Sequence, residues 1–283
     1  MQVQNDEVIT PELIVGGLGA FDELRKLGSG TFGTTFKAVR GGDTYALKII
    51  HVPDVQQYLW DREITSLRRT EHPNVVGFRS AGAFKAADRE FPYLECEFID
   101  GGTVREAMAR RDAPTADQLR GFLAGLLSGV AEIHDLGIIH RDLKPENVAL
   151  RDGEWEAPVI LDFGLARVLD MSTHTKYPAH MGTYQYMSPE QLKADAARTR
   201  SDLFAVGVMA YEIGTGKHPF IDGRSTLQGL YEQIRRGPLH DPMALAPTRW
   251  TARMRDTVMR LLSFHGHQRL NAARALRDLE EDA

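Results

Sequence analysis

The sequence predicts an α+β chain in two parts, a small antiparallel β-rich part followed by a larger, mainly α-helical one. Three observations point there. Through the first third, apolar and polar residues alternate and the pattern breaks at glycines; after Gly101 and Gly102 a helical period sets in; and Leu203 to Ile213 is apolar nearly all round, as a helix buried inside a core requires.

The elements follow in order. FDELRKLGSG, TTFKAVRG and TYALKIIHV read as strands of an antiparallel meander, broken at Gly28, Gly30, Gly41 and Gly42. From Asp54 the spacing of Leu59, Glu63, Ile64 and Leu67 predicts a helix ending before Pro73. Two strand-like stretches come next, around Val75 to Phe84 and Pro92 to Ile99. In the second part, Thr115 and Gln118 form a capping box that opens a long amphipathic helix through Leu119, Phe122, Leu123, Leu126 and Val130. Gly214 and Gly216 should end the buried helix, and further helices are expected over 227–235, 251–262 and 272–279. The expected division is an N-terminal extension over 1–20, a first lobe over 21–98 and a second over 99–283, with the join near Glu97 to Gly102.

Composition narrows the functional classes. With 283 residues, 42% hydrophobic and 26% charged, the chain can bury a real core, and neither disorder nor a fibrous repeat is suggested. A net charge of -5 gives no electrostatic reason to expect nucleic acid as a partner. Cys96 is the single cysteine, so neither an intrachain disulfide nor a cysteine-based zinc cage can form, which suits a reducing cytoplasm. Met1 to Ala20 holds Asp6, Glu7 and Glu12 but no Lys or Arg, unlike a signal or transit peptide. No apolar run approaches the roughly 20 residues that span a bilayer. The expectation is a soluble cytoplasmic protein with no membrane span; its oligomeric state is left open.

Several segments carry chemistry. GSGTFGTTF sets Gly28, Gly30 and Gly33 between strands, where missing side chains let backbone N–H groups approach phosphates. Alone, it reads equally as a glycine-rich hairpin, and a Rossmann turn is disfavoured because a strand follows. YALK then puts Lys48 where a cation could meet the phosphates under that loop, with Glu63 on the next helix as its candidate partner; taken singly, both are ordinary surface charges. IIHRDLKPENVAL packs His, Arg, Asp, Lys and Asn between two apolar stretches, and VILDFGLAR follows with Asp162, Phe163 and Gly164. Asn147 and Asp162 together would make an oxygen site for a hard cation, although Asp162 alone reads as a turn cap.

In this order, from Gly28 to Arg269, the motifs resemble those of the eukaryotic-type (Hanks-type) serine/threonine protein kinase superfamily. The resemblance implies a bilobal protein kinase fold, a small antiparallel β-sheet lobe with one key helix and a larger mainly α-helical lobe, and transfer of the γ-phosphoryl group of Mg-ATP to Ser/Thr hydroxyls of protein substrates, the chain itself included. It implies that Lys48, paired with Glu63, holds the α and β phosphates, that Asp142 takes the hydroxyl proton, and that Asn147 and Asp162 hold Mg²⁺, with Mn²⁺ as an alternative. Lys144 would reach the γ-phosphate. ATP would be lined by Gly28, Ser29, Gly30, Thr31, Phe32, Gly33, Thr35, Ala46, Cys96 and Ala149, with the backbone of Glu97 and Ile99 contacting adenine. Ser172, Thr173, Thr175 and Tyr177 lie in a segment resembling an activation segment, where Arg141 and Arg167 could receive a phosphate, and Thr183 would sit at its substrate-facing end. His140 and Phe163 would hold the catalytic loop and metal-binding turn in register, Glu190 and Arg269 would form a buried ion pair, and Asp202 would brace the catalytic loop.

The departures are Thr35 for the family's usual valine, Ala149 for a larger aliphatic residue, and Phe204 and Ala205 for tryptophan and serine after Asp202. The first two predict weaker ATP binding than is usual for the family, and the compact length leans toward a bacterial member. Cys96 falls at a gatekeeper position but is read first as a small buried hydrophobe. Two rivals stand beside the kinase: a pseudokinase that scaffolds, disfavoured by the retention of Lys48, Asp142, Asn147 and Asp162, and a small-molecule phosphotransferase, disfavoured by Lys144 and the complete segment ending at Glu190.

Overall fold

A computed structural model describes residues 9–30, 33–50, 60–61, 64–65, 67–86, 89–162, 184–223 and 226–280. These divide into two compact units. One holds the described residues up to Arg69 together with Gly77 to Phe98; the other holds Thr70–Val76 and the described residues from Ile99 onward.

The first unit opens with a helix, α1 (Pro11–Leu18), in a segment whose sequence pattern predicts no element. Thr10 caps it by accepting from the Leu13 N–H at 3.3 Å, and Pro11 starts it where no N–H is needed. Five strands follow: β1 (Glu23–Ser29), β2 (Gly33–Arg40), β3 (Asp43–Ile50), β4 (Phe78–Ala86) and β5 (Arg89–Glu97), in the order β1-β2-β3-β5-β4. β1 to β3 form the expected antiparallel meander, after which β5 pairs with β3 and places β4 at the edge. The last two strands also sit differently from their expected bounds, and Val75 forms an isolated parallel bridge with Ile160 in the other unit's fold instead. Between β3 and β4, the described residues Trp60, Asp61, Ile64, Thr65 and Leu67 are helical.

Alternation along β2 and β3 gives the sheet two characters. Phe36, Ala38, Leu47 and Ile49 are fully buried on one face, together with Ile14 of α1, whereas Thr35, Ala46 and Lys48 on the other face are partly accessible.

In the second unit, α2 (Val104–Ala109) and α3 (Ala116–Asp135) both start at capping boxes, Thr103 with Glu106 and Thr115 with Gln118. β6 (Val148–Leu150) and β7 (Pro158–Ile160) form a short antiparallel hairpin, and α4 (Thr199–Thr215) is the buried helix. Gly214 lies inside α4 and packs on Trp250; only Gly216 caps it, with φ +71° and its N–H donating to the Glu212 carbonyl at 2.7 Å. The segment before β4 is bound into this unit: Ile160 N–H donates to the Asn74 carbonyl (2.9 Å), Val76 N–H to the Ile160 carbonyl (3.0 Å) and Asn74 Nδ2 to the Pro158 carbonyl (2.8 Å). No helix among the described residues is long and apolar enough to cross a membrane.

Candidate active site

The loop from His140 to Asn147 is built on Asp202, near the start of α4. Its carboxylate, 1% exposed, accepts from His140 N–H at 2.9 Å, Arg141 N–H at 2.8 Å and His134 Nε2 at 2.8 Å. The two consecutive backbone N–H groups converge on this carboxylate at a sharp turn, where Arg141 has φ +67°. Gln191 holds the same turn by donating to the Arg141 carbonyl at 2.8 Å. The two bonds of the His140 ring set its orientation: Nε2 donates to the Leu161 carbonyl (2.8 Å), and Nδ1 accepts from the Asp142 N–H (3.3 Å).

On this base the loop brings Asp142, Lys144 and Asn147 together. Lys144 Nζ donates to Asp142 Oδ2 at 2.7 Å, with the two side chains 24% and 35% exposed. Asn147 Nδ2 donates to the Asp142 carbonyl (2.7 Å) and to Oδ2 (3.1 Å). Both partners are pure acceptors, so the amide nitrogen faces Asp142 and the amide oxygen is directed away, free to serve a cation. The β6–β7 register, Val148 opposite Ile160, holds Asn147 and Asp162 at the same end of the hairpin, and the Leu161 N–H donates to the Asn147 carbonyl at 2.9 Å. Asp162 is exposed and itself left-handed, φ +56°. An amide and a carboxylate oxygen at one hairpin end are the hard donors that Mg²⁺ takes. Ala149 is buried in β6, opposite Val159 and bridged to Thr103. Gly101 lets that neighbouring segment lie against β6, since a side chain there would strike the Leu150 carbonyl. Ile99 is buried in this unit.

In the sheet unit, register puts the expected nucleotide residues on one face: Thr35 opposite Lys48, Lys48 opposite Leu94, and Ala46 opposite Cys96. Cys96 is partly buried, and the Glu97 N–H donates to the Gly77 carbonyl at 2.8 Å. A side chain at Gly33 would collide with the Ile49 carbonyl, whereas Gly28 and Gly30 face open space. Gly30 N–H closes the turn on the Gly33 carbonyl (2.8 Å), and Ser29 and Thr34 hydroxyls lie 3.0 Å apart. Thr31, Phe32, Glu63, Phe163, Arg167, Ser172, Thr173, Thr175, Tyr177 and Thr183 lie outside the described residues.

Glu190 and Arg269 meet in two parallel bonds, Nη1 to Oε1 at 2.7 Å and Nη2 to Oε2 at 3.0 Å, with Arg269 fully buried. Arg269 also donates to the carbonyls of Ser263, Phe264 and Arg200, so all its nitrogens are engaged. Burial pushes the Glu190 carboxyl up, but the bonds from Arg269 and Ser201 outweigh it and hold the group below the usual carboxylate range.

A second polar chain is one that the sequence pattern does not predict. Arg105 donates to Glu146 (2.8 Å) and to the Tyr186 hydroxyl (2.8 Å), and Tyr186 donates to Glu212 (2.5 Å). Burial raises Glu212 above the usual carboxylate range despite that bond. Nearby, burial depresses His218 to about 4 while its Nε2 donates to the Gln185 carbonyl (3.0 Å). These contacts join residues far apart in the chain, up to 81 positions for Arg105 and Tyr186, so no local spacing announces them; the available signals are Glu146 beside Asn147 and the capping box that starts the helix bearing Arg105.

Comparison with known proteins meets this geometry. The protein kinase domain family matches residues 21–279. The chain belongs to that family. This kinase domain is 33% identical over 266 residues to the DNA damage-responsive serine/threonine-protein kinase RqkA of Deinococcus radiodurans, covering 90% of the chain and 37% of RqkA. It is 34% identical over 272 residues to the serine/threonine-protein kinase Pkn2 of Myxococcus xanthus, covering 92% and 32%. A crystal structure of Rad53 1–466 in complex with AMP-PNP superposes with a TM-score of 0.71 at 31% identity, covering 90% of this chain and 62% of that one. The kinase domain thus spans about a third of the length of these two bacterial relatives, and its fold is the bilobal α+β kinase fold.

Proposed function

We propose that this kinase domain transfers the γ-phosphoryl group of Mg-ATP to Ser and Thr hydroxyls of protein substrates, its own chain among them. The observation that carries the reading is the Asp142 carboxylate, half-exposed, bonded at 2.7 Å to Lys144 and at 3.1 Å to Asn147 on a loop clamped by Asp202. Phosphoryl transfer proceeds through a loose, highly charged arrangement, so the protein's task is alignment and charge neutralisation. In this reading Asp142 orients the acceptor hydroxyl and takes its proton, while Lys144 leaves the carboxylate to meet the γ-phosphoryl oxygens. Lys48 holds the α and β phosphates, with Glu63 as its partner. Asn147 and Asp162 would hold Mg²⁺, which neutralises the phosphate oxygens when bound. Residues 21–98 and 99–283 are the two lobes, 1–20 precedes them, and Ser172, Thr173 and Thr175 are sites of regulatory phosphorylation read by Arg141 and Arg167. RqkA and Pkn2 are named as serine/threonine kinases, which supports the acceptor class; a cytoplasmic location accords with the single cysteine. Labelled ATP with Mg²⁺ and a generic protein acceptor tests the activity: label on serine and threonine, lost in Asp142→Ala, is the expected result, and label that persists in that variant contradicts it.

A further inference from the structure

The family match begins at residue 21, yet the sheet's core does not. Ile9 (4% exposed) and Ile14 (0%) lie in one cluster with Phe36, Leu47, Ile49 and Phe84, so α1 supplies part of the cover for the sheet face opposite Lys48. Left bare, that face would be a contiguous apolar patch of the kind soluble domains rarely expose. The helix in turn has little stability of its own. Eight residues are too few for an isolated helix in water, and PELIVGGL includes two glycines, each among the weakest helix formers. Its order comes from docking: a side chain at Gly17 would run into the Phe84 ring, and Arg40, from β2, donates to the carbonyls of Leu18 (2.9 Å) and Ala20 (3.2 Å) while stacking 4.1 Å over Phe21.

The consequence falls on β3. Leu47 and Ile49 are both fully buried in the cluster that α1 helps to close, and Lys48, between them, projects from the opposite face. We propose that α1 is a strap that positions Lys48, making residues outside the matched kinase domain a determinant of nucleotide affinity. The proposal rests on the reading of Lys48 as the phosphate-binding lysine. Ile14 and Arg40 touch no nucleotide in it; they act through the strand.

The experiment uses the full chain and four variants, Ile14→Ala, Ile14→Val, Arg40→Gln and Lys48→Ala, titrated with Mg-ATP below their unfolding temperatures, with acceptor KM measured alongside. Ile14→Ala is expected to weaken ATP binding by about threefold or more while acceptor KM stays within about twofold, Ile14→Val to restore affinity, and Arg40→Gln to weaken it in the same sense but less. Should Ile14→Ala lower only the unfolding temperature and leave ATP affinity intact, α1 is a cover and the proposal is overturned. Should Ile14→Ala fail to fold, Arg40→Gln, whose side chain is exposed, decides the question by the same comparison of affinity with unfolding temperature. Unchanged affinity in Lys48→Ala would instead overturn the reading of Lys48, and the strap's role with it.

Discussion

Asp202 and Asp142 serve the same loop and differ in almost every physical respect. Asp202 is 1% exposed and has three donors fixed on it, two of them backbone N–H groups that have no other place to go. Asp142 is 35% exposed, and its side chain is met by a flexible lysine and one side-chain amide. A buried carboxylate saturated by rigid donors has no capacity left for a reaction; its work is to hold shape. A half-exposed carboxylate with an exchangeable partner can trade that partner for a substrate hydroxyl. Two aspartates on one loop's framework, Asp202 in α4 and Asp142 in the loop itself, are thus set apart by burial and by the stiffness of their donors, not by residue type.

Exchanging the two roles breaks the contrast most directly. Asp142→Asn should lower kcat by about a thousandfold, within the range for a lost proton acceptor, while the urea midpoint stays unchanged. Asp202→Ala should do the reverse in emphasis: it strands the His140 and Arg141 N–H groups and His134, and is expected to cost about 3 kcal/mol of stability in urea denaturation. A third test sharpens the idea that burial sets behaviour. His218 is held neutral with its pKa depressed to about 4 from 6.5. Unfolding lets it take up a proton below pH 6.5, so stability is full above that pH and falls as pH drops toward 4, by up to about 3 kcal/mol, since a tenfold change in proton affinity is worth about 1.4 kcal/mol. The urea midpoint of His218→Gln should lack that component. The smallest effect concerns the sheet face. Thr35 lies opposite Lys48, and Thr35→Val, which removes a hydroxyl without changing shape, should tighten ATP binding by about twofold in a titration.

The readable parts of the fold are those whose signal is local. β1 to β3 alternate because one face is buried, and α3 and α4 announce themselves by capping box and by all-round apolarity. α1 is not legible, since Gly16, Gly17 and Gly19 argue against a helix and its short Thr10-capped turn is held mainly by docking on the sheet face. The edge position of β4 and the attachment of Val75 to Ile160 are decided by pairing across distant sequence. In the candidate site, the residues Asp142, Lys144, Asn147 and Asp162 can be named from one short motif and the next, because each motif is a continuous stretch of chain. Their supports cannot all be named this way: His134 on Asp202, Gln191 on the Arg141 carbonyl and the Arg105–Tyr186–Glu212 chain are meetings of distant segments, fixed by packing.

The most direct test of the central claim is the intact mass of the chain after incubation with Mg²⁺ and ATP, beside a protein acceptor, for the natural sequence and for Asp142→Asn. Phosphate gained on serine or threonine of the chain or the acceptor with the natural sequence, and absent with the variant, is the result expected. Equal phosphate in both, or none on either protein with the natural sequence, would contradict the assignment of Asp142 as the group at which transfer occurs.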